Sequence, residues 1–118
     1  MKEEGPYKDN RKNGRWIAYN GAGTIISEGM YVDNTPNGAW VYFDDAGVKM
    51  REQSFVNGDP HGHCVVYDQR ARIIQEMDYK QGRLDGVMTM YGTDGEVLKT
   101  ITYENGAVKK MPLPDRKR

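Results

Sequence analysis

The sequence predicts an all-β fold: a single-layer twisted antiparallel β-meander built from tandem 24-residue hairpin units. Three observations predict it. The 118-residue chain aligns with itself without a gap when shifted by 24 positions, and self-similarity at a fixed period of about 20–50 residues marks a repeat array. Tyr7, Tyr31, Phe55, Tyr79 and Tyr103 form one column, and Gly14, Gly38, Gly62 and Gly86 a second. Tyr19, Phe43, Tyr67 and Tyr91 form a third, and Gly23, Gly47, Ala71 and Gly95 a fourth. Each unit also holds two β-branched and aromatic runs separated by Gly, Asn and Asp, the composition of strands and turns. Finally, no stretch keeps a helical period, because glycine or proline interrupts every window long enough for a helix.

The elements follow in order. Glu4-Gly5-x-Tyr7 matches Glu28-Gly29-x-Tyr31, so the sequence opens inside a unit, as it would if a leader or earlier repeats had been removed. Complete units span about 7–30, 31–54, 55–78 and 79–102, with partial repeats at both ends, so the array covers 1–106. In the second unit, Gly38-Ala-Trp-Val-Tyr-Phe43 reads as a strand. Asp44-Asp-Ala-Gly47 is a turn, since Asp hydrogen-bonds its own backbone and Gly accepts the left-handed conformation of a three-residue hairpin. Val48–Phe55 returns, and Asn57-Gly-Asp-Pro-His61 leads into the next unit. Turns are expected near 20–23, 44–47, 68–71 and 92–95, and positive φ at residues 10, 34, 58, 82 and 106, which are Asn or Gly. Residues 107–118 are expected to be a basic, disordered, solubilising tail.

Twenty-four is even, and strand side chains alternate with period two. If both loops preserve that alternation, the odd face carries both aromatic columns with Ile17, Val41, Val65, Ile25, Ile73 and Val97. The even face then carries Trp16, Trp40, Cys64 and Met88 beside Ile26, Met50, Ile74 and Leu98, with Glu28, Glu52 and Glu76 in line. A loop of the other parity would flip one strand set.

Bulk composition excludes several classes. Lys plus Arg and Asp plus Glu both number 17, so no global basic field exists for nucleic acid. The charge is uneven: five bases against Asp115 make the tail +4, and twelve bases against sixteen acids leave residues 1–106 at −4. A single cysteine excludes a disulfide scaffold. No apolar run approaches the ~20 residues of a membrane helix, and no signal-peptide core is visible. A cytoplasmic location is favoured, with export or surface display open if a leader was removed. Hydrophobic residues make up only 37% beside 14 glycines, which suits a sheet that buries its neighbours unit by unit.

Gly38-x-Trp40, Phe43, Gly47 and then Glu52-x-x-Phe55-x-x-Gly58 resemble the MORN repeat, in the longer variant found in bacterial YwqK-type antitoxin family proteins. The resemblance covers residues 4–106. It implies an elongated MORN-like hairpin sheet used as a scaffold or binding module. The chain departs from the pattern at Ala71 for a turn glycine, Cys64 and Met88 for Trp, and Thr100 for Glu. Lys110 stands where a further repeat would need glycine.

Candidate chemistry is sparse. His61-Gly-His63-Cys64 has metal-ligand residue types, but His63 and Cys64 are adjacent on a strand and point to opposite faces. No metal site and no cofactor are expected. Asp44, Asp45, Asp59 and Asp94 sit beside turn glycines and lack a calcium-loop ligand series. The Glu28, Glu52 and Glu76 ladder reads as strand residues paired with bases such as Arg15. No catalytic triad, phosphate loop or dinucleotide fingerprint is present, so no catalytic residue is assigned and no enzyme is expected.

The expected function is therefore a non-catalytic protein-binding repeat module. The resemblance adds an antitoxin or immunity-type role toward a toxin-like protein, with a structural, cell-surface or membrane-associated scaffold as the alternative. The expected contact residues are Trp16, Trp40, Tyr42, Met88 and Met90, large apolar groups gathered where a solvated face should be polar. Weak contact of the basic tail with anionic lipid and self-association through edge strands are the remaining partner expectations.

Overall fold

The computed structural model describes residues 2–110, with Lys110 described for its backbone alone. The strands are β1 (Lys2–Glu4), β2 (Tyr7–Lys8), β3 (Arg11–Lys12), β4 (Gly14–Tyr19), β5 (Ile25–Val32), β6 (Thr35–Phe43) and β7 (Lys49–Val56). They continue with β8 (Asp59–Pro60), β9 (Gly62–Tyr67), β10 (Ile73–Lys80), β11 (Arg83–Leu84), β12 (Gly86–Tyr91), β13 (Val97–Glu104) and β14 (Ala107–Lys110). Ten of them lie in the order β1-β4-β5-β6-β7-β9-β10-β12-β13-β14, every pairing antiparallel. β8 and β11 pair with β7 and β10, and β2 pairs with β3 as a separate hairpin. The chain extends 61 × 31 × 15 Å, the thin slab of a one-layer meander.

Two turn types alternate. At one rim, Gly47 N–H donates to the Asp44 carbonyl and Asp44 N–H to the Val48 carbonyl, both at 2.9 Å. Asp44 Oδ1 also accepts from the amides of Ala46 and Val48. Asn20 and Asp68 repeat this arrangement, which places these turns where the aspartate and glycine chemistry predicted. At the other rim two-residue turns close the hairpins. Asp33 and Asn34 have φ of 51° and 67°, as a type I′ turn requires. The glycine column 14/38/62/86 also has positive φ, 95° at Gly38, where β6 breaks register with β5.

The expected face assignment is corrected. Columns keep their face along the array, but the two strands of one unit have opposite parity. The cause is a β-bulge in every unit. Tyr42 pairs with Arg51 but Phe43 with Lys49, so Met50 is skipped. Ile26, Ile74 and Leu98 are skipped in the same way. One extra residue per hairpin switches which parity faces which side. The Tyr31 column therefore shares a face with the tryptophans, while the Tyr19 column and the glutamates share the opposite one.

The core lies in single file along the tryptophan face. Trp16 pairs with Gly29, Gly29 with Trp40, Trp40 with Gln53, Cys64 with Met77, and Met88 with Ile101. All but Ile101 are buried, and Cys64 completely so. Tyr7 and Tyr31 meet Trp16 edge-on, and Tyr31 and Phe55 meet Trp40, with ring centroids 5.0–6.2 Å apart. Lys12 Nζ lies 4.5 Å above the Trp16 ring. The indole N–H groups donate to Pro6 and Met30 carbonyls at 2.9 and 3.1 Å.

The boundary at residue 107 is also corrected. Asn105 and Gly106, with φ of 52° and 86°, form one more two-residue turn, so Ala107–Lys110 returns against β13 as β14. The rest of the expected tail, 111–118, lies outside the described residues.

Two substitutions test this packing. A Cβ on Gly29 would stand 1.9 Å from the Trp40 ring, so Gly29→Ala should destabilise by about 1–3 kcal/mol in denaturant melts. Ala71 holds φ of 63° in the column otherwise occupied by glycine. Ala71→Gly should relieve left-handed strain and stabilise by about 1 kcal/mol, read as a higher denaturation midpoint.

Candidate functional site

Among the described residues, burial removes three of the five expected contact residues from reach. Trp16, Trp40 and Met88 keep only 5%, 7% and 9% of their surface exposed, because the tryptophan face is the core. Tyr42 is half-buried, stacked on Trp40 with centroids 6.2 Å apart, and Met90 is exposed at the hairpin-loop end. The expected patch is thus corrected to a packed core with two accessible residues at its rim.

The opposite face is a different surface. Glu4, Ile17, Glu28, Val41, Glu52, Val65, Glu76, Thr89 and Thr100 lie opposite one another in an unbroken row across nine strands. Carboxylates recur on every second strand through Glu76, about 10 Å apart at the usual strand spacing. Ile17, Val41 and Val65 stand half-buried between them.

Beside this row runs the second aromatic column, tied to it by a repeated bond. Tyr19 Oη donates to Glu4 at 2.8 Å, Tyr67 to Glu52 at 2.7 Å, and Tyr91 to Glu76 at 3.2 Å, each 15 residues apart. Phe43 has no hydroxyl for Glu28, and Arg15 binds that carboxylate instead. Lys49 pairs with Glu52 at 2.9 Å. The Tyr67 hydroxyl and this ammonium hold the Glu52 pKa below its usual value. Burial and the Glu52 charge push Tyr67 up to about 12. The glutamates are thus neutralised strand residues, as expected, although on the other face. Open recesses of about 530 and 220 Å³ lie at equivalent places, one lined by Glu4, Tyr19 and Gly23, the other by Glu76, Tyr91 and Gly95.

The third unit adds a network that the sequence reading missed. His63 Nδ1 lies 2.8 Å from Asp78 Oδ1 and its Nε2 lies 2.9 Å from Glu76 Oε1. A carboxylate at each nitrogen suits the doubly protonated ring, and the Asp78 bond followed by that of Glu76 raises its pKa against partial burial. Cys64 points the other way into the core, and His61 Nδ1 accepts the Gln81 amide at 3.2 Å. Among the described residues, no group of three or more His, Cys, Asp or Glu side chains has the geometry to hold a metal ion. The clue to this network was the hairpin register, which sets His63 opposite Asp78.

Comparisons with known proteins fit this architecture. A family model described as a MORN repeat variant matches residues 84–105, and that match suggests a repeat-based binding module. No curated protein matches the chain. Two crystal structures of S. aureus TarM are similar in fold at 16% sequence identity, with TM-scores of 0.52 and 0.51. One of them is a mutant in complex with Fondaparinux, alpha-GlcNAc-glycerol and UDP. They cover 83% and 85% of this chain, which spans about 20% of the length of each TarM chain.

The His63 pair sets a pH dependence. A raised folded pKa gives stability that is full below the unfolded value near ~6.5 and is lost as pH rises through the folded value. Stability should therefore fall as pH rises from ~6.5 through the folded value, less so in His63→Gln. Proton NMR titration should place the His63 pKa above that of an ordinary histidine.

Proposed function

We propose that the chain is a non-catalytic repeat module that docks another protein on the face carrying the Tyr19 column and the glutamate row. The observation that carries this reading is the row itself: half-buried Ile17, Val41 and Val65 between charge-paired carboxylates on a face that no other layer covers among the described residues. The pairing leaves little net charge to attract a simple cation. The apolar strip supplies the burial that protein contacts use, and tyrosine suits a half-wet surface. A slab 61 Å by 31 Å has room for a contact of about 800 Å² per partner. An antitoxin or immunity-type role, with a toxin-like protein as the partner, rests on the family resemblance alone.

The test separates docking from folding. Proteins retained by the wild-type array would be identified and their affinity measured against Val65→Lys and Val41→Lys. Both variants should lose at least tenfold in affinity, roughly 1.4 kcal/mol, with little change in melting temperature. Unchanged affinity in both would remove this face from the contact. Trp40→Ser serves as the contrast, since emptying the core position should cost about 3–5 kcal/mol of stability.

A further inference from the structure

A second row crosses the sheet on the tryptophan face, beside the core and toward the Asp44–Gly47 turn. Its pairs are Ala18 with Ser27, Tyr42 with Arg51, Val66 with Gln75, and Met90 with Lys99. Ser27 next to Tyr42, Arg51 next to Val66 and Gln75 next to Met90 join one unit to the following one. The row holds no carboxylate. The array repeats its geometry, so a pair found in one unit alone is not demanded by the repeat itself. The second unit alone sets an aromatic ring opposite a guanidinium here.

Arg51 differs from its fellows. Among the described residues it is the one arginine that is not exposed. Arg15 and Arg72, at the surface, hold Glu28 and Asp68, whereas no carboxylate of the described residues pairs with Arg51. Its Nη2 donates instead to Gln53 Oε1 at 3.0 Å. Gln53 is only 4% exposed. An apolar side chain, Met77, fills the same column in the next unit, so volume does not call for the amide. The amide anchors the guanidinium and leaves most of its five N–H donors uncommitted.

Beside this cation lies an open recess of about 330 Å³, lined by Tyr42, Arg51, Gln53, Phe55 and Pro60. Trp40 holds both rings: Tyr42 stacks on it with planes 21° apart, and Phe55 meets it edge-on at 81°. An anchored cation thus stands beside fixed apolar walls, the mixture typical of a small-molecule site.

We propose that this recess binds a carboxylate carried on an apolar body of about one ring. A half-buried guanidinium is short of water, so a counter-charge gains more there than on open surface. The planar fork takes both carboxylate oxygens at once. A single cation between apolar walls suits a monoanion better than a doubly charged phosphate. The apolar body then lies against Tyr42, Phe55 and Pro60. The carboxylate comes from a free acid or from the end of a peptide, and the recognition chemistry is the same for both.

Proton–nitrogen NMR of the full-length chain tests this. Phenylpropionate should shift the Arg51 side-chain and Tyr42 amide signals saturably. Its neutral amide, phenylpropionamide, should bind at least about tenfold more weakly. Arg51→Gln should erase the difference between acid and amide, and Arg51→Lys, with charge but no fork, should keep only part of it. N-acetylphenylalanine stands in for a peptide end: tighter binding than phenylpropionate assigns the site to a chain terminus, and equal or weaker binding to a free acid. Acid and amide binding alike to the wild type overturns the proposal however the variants behave. The absence of saturable shifts overturns it too, as does a preference for the acid that survives Arg51→Gln. A stronger response to inorganic phosphate than to phenylpropionate overturns it equally.

Discussion

The structure depends on one volume constraint. A one-layer sheet has no opposing layer to fill gaps, so each core side chain fits only against its cross-strand neighbours. A buried tryptophan removes about 200 Å² from water, worth roughly 5 kcal/mol before ordering costs. Its indole lies over the neighbouring backbone, and that demands glycine. Gly5 and Gly29 supply the space for Trp16 and Trp40. Where the tryptophan position shrinks to Cys64 or Met88, the facing column grows to Gln53, Met77 and Ile101. Summed volume is conserved while chemistry changes, as close-packed interiors require. The Trp departures in the third and fourth units are therefore half of a paired exchange.

The period made most of the fold legible. Asp44 and Gly47, or Asn57 and Gly58, announce turns because their side chains or lack of them act locally. The bulge was not legible, for a physical reason. Its extra residue takes an ordinary backbone conformation that Ile26, Met50, Ile74 and Leu98 adopt as easily as strand residues. Nothing in their side chains marks it. Yet that residue decides parity, and parity decides which face is core. An error of one residue moved the Glu28 ladder onto the wrong side and made Trp40 look available to a partner.

The candidate site was legible in its parts and not in its assembly. Tyr67 and Glu52 are 15 residues apart, and so are His63 and Asp78. The first pair joins a strand to the preceding hairpin, and the second joins the two strands of one hairpin. No local propensity encodes either distance. Both follow once a bulged register is drawn, because cross-strand neighbours on one face then come within reach. The identity of His63 carried a misleading signal, since histidine beside cysteine suggests a metal before it suggests a cation between two carboxylates.

What joins the units is chemistry that varies on fixed geometry. At the rim of two-residue turns, Gly58, Gly82 and Gly106 amides donate to the carbonyls of Pro36, Pro60 and Leu84 in the preceding unit. A side chain reinforces each step: Asn13 to Asp33, Asn37 to Asn57, His61 to the Gln81 amide, and Asp85 to the Asn105 amide. The slot therefore asks for a short polar group that reaches 20 residues onward, and asparagine, histidine and aspartate all satisfy it. In a solenoid-like array, stability is a sum of unit and neighbour terms. These links add neighbour terms at the two-residue-turn rim, up to which Tyr31, Phe55, Tyr79 and Leu84 carry the tryptophan-face core. Among the described residues the tyrosine–glutamate face has no second layer to pack against, and this is the surface on which docking is proposed.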